Sequence, residues 1–237
     1  MTKRRSGTAA KRRTRPANAS RTRAASARSA RPAAVEGTPA DILDAALAVF
    51  AERGFDGART REIAARAGAN LGLLTYYFGD KERLWREAVT RAFARLREEL
   101  GDVLAADADG ADPRAGLDHV VRRFVRFVAR NPEFMQLMND EGKRDGPRMR
   151  WLVDRFVGPA YEALRPRVER ARASGALPAI PAASLHYLVL GAAGLIFSQA
   201  AECKRLMGVD PRTDAFADAH ADALLQLIAP ASRAASD

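Results

Sequence analysis

The chain has few of the residues on which compact catalytic and metal sites are built. Among its 237 residues there is one cysteine, Cys203, and three histidines, His119, His186 and His220. A single cysteine excludes a disulfide within the chain and any cysteine-cluster zinc site, and it fits a reducing compartment. The histidines fall on three separate predicted helices, and no HExxH pair, nucleophile motif or strand-borne glycine-rich phosphate loop occurs. Neither catalysis nor a cofactor is therefore expected. No run approaches the roughly 20 apolar residues of a membrane-crossing helix. The longest stretch, LHYLVLGAAGLIF at 185–197, stops short, so a soluble protein without a membrane partner is expected. Strand-like alternation of apolar and polar residues is missing as well.

Acidic residues are absent from one region only. Residues 1–35 carry eleven lysines and arginines and no Asp or Glu, whereas the remainder holds 28 basic against 29 acidic residues. The formal net charge of +10 thus belongs to a tail, and the body is nearly neutral. With no large apolar residue between Thr2 and Ala34, the tail cannot build a core, and residues 1–37 are expected to be a disordered basic segment. A polycation beside a nucleic-acid-binding module would add phosphate contacts without sequence preference.

From Pro39 onward the apolar period is helical throughout, and the predicted fold is all-α. The first helix starts behind Thr38 with Pro39 in its first turn and repeats Ile42, Ala46 and Val49 beside Leu43, Leu47 and Phe50; Gly54 ends it. Thr60 is expected to cap REIAARA, with Gly68 supplying a left-handed turn residue before a second short helix at about 70–78. Asp80 opens a long helix reaching about residue 104. A second helical region starts at Pro113, where Leu117, Val120, Val121, Phe124, Phe127 and Val128 form a stripe. Bends are expected at Pro159 and Pro166, and two final helices at about 181–207 and 213–228.

The segment TREIAARAGANLGLLTYYFGDKERLW, residues 60–85, carries the function. Helices this short cannot bury a face alone. Joined by a glycine turn and propped by neighbours, they form a helix-turn-helix, which sets its second helix into the DNA major groove. Ile63, Ala64 and Leu74 face the core in this reading, leaving Asn70, Leu71, Leu73 and Thr75 outward, where thymine methyls can meet the leucines.

These motifs resemble the tetracycline-repressor (TetR) family of bacterial regulators, from ILDAALAVFAERGF through TREIAARAG to YYFGDKERLW, and more weakly in the C-terminal half. The resemblance implies a three-helix helix-turn-helix domain at 38–85 and a ligand-binding and dimerisation domain at 86–230. It further implies that Thr60, Tyr76 and Lys81 touch phosphates of a double-stranded operator while Asn70, Leu71, Leu73 and Thr75 approach base edges. A small apolar effector would lie among Phe127, Phe134, Met135, Met138, Trp151, Phe156, His186 and Phe197. The last two helices, through LGAAGL and the stripe Phe216, Ala223 and Leu227, would form a homodimer that binds an inverted repeat. The resulting expectation is a ligand-responsive transcriptional repressor. The competing reading is a ligand-blind architectural DNA-binding protein that uses its basic tail.

Overall fold

The computed structural model describes residues 37–105 and 112–228, and every regular element among them is helical. Helix α1 (Pro39–Gly57) opens with a reciprocal capping box: the Thr38 hydroxyl oxygen accepts the Asp41 amide at 3.2 Å, and the Asp41 carboxylate accepts the Thr38 amide at 2.9 Å. Ile42, Ala46, Val49 and Phe50 are buried. Gly54, at φ 67°, bends the helix near its end, and Phe55 turns back to stack on Phe50 at 5.8 Å.

Helices α2 (Thr60–Arg66) and α3 (Leu71–Phe78) follow, joined through Gly68 at φ 65°. The cap expected at Thr60 is displaced by one residue. Arg59 holds the cap position, its carbonyl accepting the Glu62 and Ile63 amides, so the helix closes before the Thr60 hydroxyl can act. Helix α4 (Lys81–Ala105) is started by Asp80, whose carboxylate accepts the Arg83 amide at 2.8 Å, and it buries Leu84, Trp85, Ala88, Val89, Ala92 and Phe93.

Helices α5 (Pro113–Arg130) and α6 (Pro132–Glu141) pack on α4 and α1 respectively. Helix α7 (Pro147–Leu152) runs into one π-turn at Val153–Val157 and then α8 (Gly158–Ala173). Of the two bends expected from proline, the irregularity lies at the first: the wide turn bonds the Gly158 amide to the Val153 carbonyl just before Pro159, which has no donor of its own. Pro166 sits inside α8, where residues 161–163 are exposed and water can take up the freed carbonyl.

The expected helix at 181–207 is two helices. α9 (Ala182–Ser198) and α10 (Ala200–Met207) meet at 73°. The Ser198 hydroxyl donates to the Leu195 carbonyl at 2.8 Å, the same carbonyl that receives the Gln199 amide, and Gln199 leaves helical geometry. Helix α11 (Asp214–Ile228) lies against α5, with Asp214, Asp218 and Asp222 paired to Arg130, Arg126 and Arg122. Among the described residues no single helix is long and apolar enough to cross a membrane; α9 and α10 reach the required composition only as a bent pair.

One buried cluster extends from Ile42 to Leu225, and a smaller one joins Ala171, Leu177 and Leu185. Aromatic rings run through the larger cluster from Phe55 to Trp85 (6.4 Å), Trp151 (5.5 Å), Phe156 (5.3 Å), Phe93 (4.4 Å) and Phe134 (5.0 Å), tying the first helices to the later ones. The disordered tail expected at 1–37 lies outside the described residues except at Gly37. That residue is buried on the turn between α2 and α3, its amide 3.4 Å from the Gly68 carbonyl.

Candidate nucleic-acid interface

Helix α3 is held by two inward residues. Leu74 and Phe78 are buried, and one turn earlier Asn70 closes the N-terminus by accepting the Leu73 amide at 2.7 Å. Leu71, Thr75, Tyr76 and Tyr77 are exposed, Tyr76 to 80%, an exposure no packing role explains. The Tyr76 and Tyr77 rings meet edge to face at 5.3 Å. Leu73 is half-buried against the core, and the Thr75 hydroxyl donates to the Leu71 carbonyl at 3.0 Å, so its methyl is the freer group.

Helix α2 is braced from α1. Arg66 makes two bonds to the Glu52 carboxylate, at 2.6 and 2.9 Å, which hold that carboxyl below its ordinary range and the guanidinium above its own. Thr60, at the head of α2, is half-buried between exposed Arg59 and Arg61, which make no ion pair among the described residues. These two arginines were overlooked in the sequence, although RTRE places both beside Thr60. Lys81 is half-buried, with its amine 4.7 Å over the Phe55 ring and bonded to the Asp56 carbonyl at 3.3 Å. A cation in the first turn of α4 thus has a partner at the end of α1 that its sequence position did not reveal.

The structure brings together most of the residues expected to hold an effector. Phe127, Phe134, Met135 and Phe197 are buried in the main core, with Met138, Trp151 and Phe156 packed against it. His186 stands apart, half-buried between Tyr161 and Tyr187 at 5.5 and 5.1 Å, and burial lowers its pKa. Two surface hollows have other linings. One, of about 470 Å³, lies between the bend of α1 and α6, with Glu52, Arg53, Gln136, Asn139 and Asp140 on its walls. The other, of about 280 Å³, follows the α9–α10 bend along Leu195, Gln199, Cys203 and Leu206. At the junction of the two groups of helices, Arg148 pairs with the buried Glu141 at 3.0 Å and lies 4.0 Å over Phe55. The buried Trp85 indole N–H has no hydrogen-bond partner among the described residues.

The small residues of LGAAGL divide between two faces. Ala193 and Gly194 are buried, and a methyl group on Gly194 would stand 2.7 Å from the Met135 Cε; Gly191 and Ala192 are exposed beside Leu188 and Leu195. On α11, Ala223 and Leu227 are exposed. Phe216, expected in the same stripe, instead packs inward against Phe197 at 6.4 Å and His220 at 6.0 Å.

A glycine turn between two short helices, a second helix with one face left open and a long helix behind them make a helix-turn-helix, the arrangement of DNA-binding regulators. The chain belongs to the TetR family. Residues 42–88 match the bacterial regulatory proteins of the tetR family, and residues 113–228 match the tetracyclin repressor-like C-terminal domain. It is 31% identical over 140 residues to the HTH-type transcriptional repressor NicS of Pseudomonas putida, covering 58% of this chain and 65% of that one. It is 32% identical over 111 residues to the HTH-type transcriptional repressor SCO4008 of Streptomyces coelicolor, covering 47% and 53%. The chain therefore spans less than two thirds of the length of these relatives. The fold is shared with the TetR family transcriptional regulator PfmR from Thermus thermophilus, at a TM-score of 0.59 and 23% identity, over 81% of this chain and 97% of that one. Both family matches are to regulators of transcription.

Proposed function

We propose that the chain is a cytoplasmic homodimeric repressor that binds an inverted-repeat operator and is released from it by a small, largely apolar molecule. The observation that carries the reading is α3, a helix anchored by Leu74 and Phe78 that leaves Leu71, Thr75, Tyr76 and Tyr77 uncovered. Asn70, Leu71, Leu73 and Thr75 approach base edges; Thr60 and Tyr76 take phosphates, with Arg59 and Arg61 beside them. Lys81 joins them only by turning its amine from the Asp56 carbonyl. The names of NicS and SCO4008 support repression.

Residues 38–85 serve as the DNA-binding part and 86–230 as the sensing and dimerising part, a division that follows the two separate family matches. Leu188, Gly191, Ala192 and Leu195 lie at helical spacing on the exposed side of α9, which packs against α11, where Ala223 and Leu227 are exposed too; these residues suit a twofold interface. Among the aromatic rings at Trp151 and Phe156, the unpartnered Trp85 N–H is a donor that an effector could meet. A difference of about 1 to 3 kcal/mol in its binding to the two states would change operator affinity about 5- to 150-fold.

The test is selection of bound duplexes from a random DNA library, coupled to sedimentation. Recovery of an inverted repeat by a dimer is the expected result, and asymmetric unrelated sites bound by a monomer would overturn the reading. One observation favours the ligand-blind alternative: Phe127, Met135 and Phe197 are closely packed, and neither surface hollow touches them. Loss of the recovered operator on adding a metabolite, with operator DNA weakening that metabolite equally, decides for sensing.

A further inference from the structure

Glu141, at the end of α6, is the one charged residue buried among the described residues, and Arg148 reaches it from the first turn of α7 at 3.0 Å. A buried carboxylate that loses its cation is left at high cost, so Arg148 is held where it stands. A guanidinium is flat and can bond a carboxylate through its N–H groups while resting against an aromatic ring. Arg148 does both. Its guanidinium carbon stands 4.0 Å from the centre of the Phe55 ring, at the end of α1, and 5.8 Å from that of Trp85 on α4. The Lys81 amine stands 4.7 Å from the same Phe55 ring. A second cation crosses in the opposite sense, since Arg86 of α4 lies 5.4 Å over the Trp151 ring of α7. Helix α7 is thus tied to the first helices at two points, giving a cation through Arg148 and receiving one on Trp151.

Resting on the reading of the chain as a twofold dimer with α3 as its recognition helix, we infer that Arg148 is a positioning residue. It fixes the angle between the helix-turn-helix and the dimerising helices, and so sets the spacing of half-sites that the dimer accepts. Helix α3 packs on α1 and α4, and therefore moves with Phe55 and Trp85. Helix α6 packs on α9, whose exposed side is proposed for dimerisation, and Gln136 of α6 donates to the Ser198 carbonyl at the end of α9 at 3.4 Å. The path from Glu141 through Arg148 to Phe55 joins these two groups of helices. Most of the remaining junction is apolar, as where Trp85 meets Trp151 at 5.5 Å, and apolar burial has no preferred direction. An ion pair specifies donor and acceptor atoms, so it fixes an angle that packed rings alone leave adjustable. One added base pair shifts a half-site by about 3.4 Å and turns it by about 35° around the duplex axis. A junction pinned at Arg148 resists such a turn, whereas one held by rings follows more of it.

The experiment uses the full chain and the inverted repeat it recovers from a random library, rebuilt with base pairs added or removed between the half-sites. The unaltered chain should bind the recovered spacing several-fold or more tighter than any other. Arg148→Met/Glu141→Gln removes both charges together, so neither is stranded in the interior. This variant should bind the recovered and altered spacings nearly alike, while its affinity for a duplex with a single half-site stays unchanged, a readout that a loss of fold would not leave intact. Arg148→Lys, which keeps a cation for Glu141, should restore part of the preference. Phe55→Leu keeps the ion pair, removes the ring and should also weaken the preference; it decides the matter if thermal melting shows the double variant unfolded. Spacing preference that persists undiminished in a folded variant overturns the role of Arg148 and leaves the operator reading standing. A library that yields no inverted repeat removes both, and the two failures are thereby distinguished.

Discussion

Helix α3 buries only Leu74 and Phe78 of its eight residues, whereas α5 buries Val121, Val125, Phe127, Val128 and Ala129 and sets three arginines against aspartates of α11. Helix α5 is amphipathic and finds partners for both its faces within the chain. Its apolar stripe meets the core and its charged side meets a matching row on α11, Arg122, Arg126 and Arg130 opposite Asp222, Asp218 and Asp214. Helix α3 is anchored on one side only, and the side left open carries two tyrosines, a leucine and a threonine. A surface so composed has a poor partner in water and a good one in a groove that offers phosphates, hydrogen-bonding edges and methyl groups. On the proposed reading, the difference separates residues that serve stability from residues that serve recognition.

The contrast is sharpest at Phe127 against Tyr76. Phe127→Ala should lower unfolding free energy by about 3 to 5 kcal/mol, read by denaturant titration, because a closely packed ring leaves a cavity. Tyr76→Ala should change stability by no more than about 0.5 kcal/mol. Its effect should appear as a loss of affinity shared by all DNA sequences; a stability loss like that of Phe127→Ala would return Tyr76 to the core.

Asn70 caps α3 and is proposed to approach a base edge, and substitution can separate the two roles. Asn70→Ala should cost about 1 kcal/mol through the lost cap on the Leu73 amide. Asn70→Asp keeps a capping oxygen and should recover most of that stability, yet both variants should change the base preference of the selected operator. Restored preference in Asn70→Asp would leave Asn70 with capping alone.

Smaller effects are expected on the α5–α11 row. The hydrogen bond from Arg126 holds the Asp218 carboxyl below its ordinary 3.8, so its contribution is complete above that pH and fades as pH falls through the depressed value. Asp218→Asn should therefore lower the thermal midpoint at neutral pH and converge with the unaltered chain in acid. Added salt should narrow the difference, since the pair is exposed. The smallest effect belongs to Glu133, whose carboxyl is pushed above its ordinary 4.5 by burial. Between those two values the folded chain holds the extra proton, so stability falls as pH rises through the window. Glu133→Gln should flatten that slope and slightly raise the midpoint at neutral pH.

Much of the fold was legible along the chain. Thr38 with Asp41, Asp80 with Arg83 and the positive φ of Gly68 are local devices whose partners lie within a turn, and each was readable from spacing. Thr60 misled because a hydroxyl at a helix start caps only if the backbone enters at its own residue, and here Arg59 is that residue. The helix break at Gln199 left little trace in an apolar run that reads as continuous. Lys81, aimed in the sequence at a phosphate, has an aromatic ring and a carbonyl from α1 beside it, a contact made across 25 positions of chain.

The sequence by itself determined the all-helical class, the ends of most helices, the helix-turn-helix and the confinement of excess positive charge to the first 35 residues. These depend on periodicity, on caps and on charge counts, all of which act over a few residues. Only the tertiary structure decided that Phe216 turns inward while Leu227 stays out, that LGAAGL gives Gly194 to Met135 and Gly191 to the surface, and that Gly37 lies over the turn at Ala67. Each of those outcomes is a matter of which distant backbone or side chain occupies the neighbouring space, and close packing between segments far apart in the chain is what assigns that space.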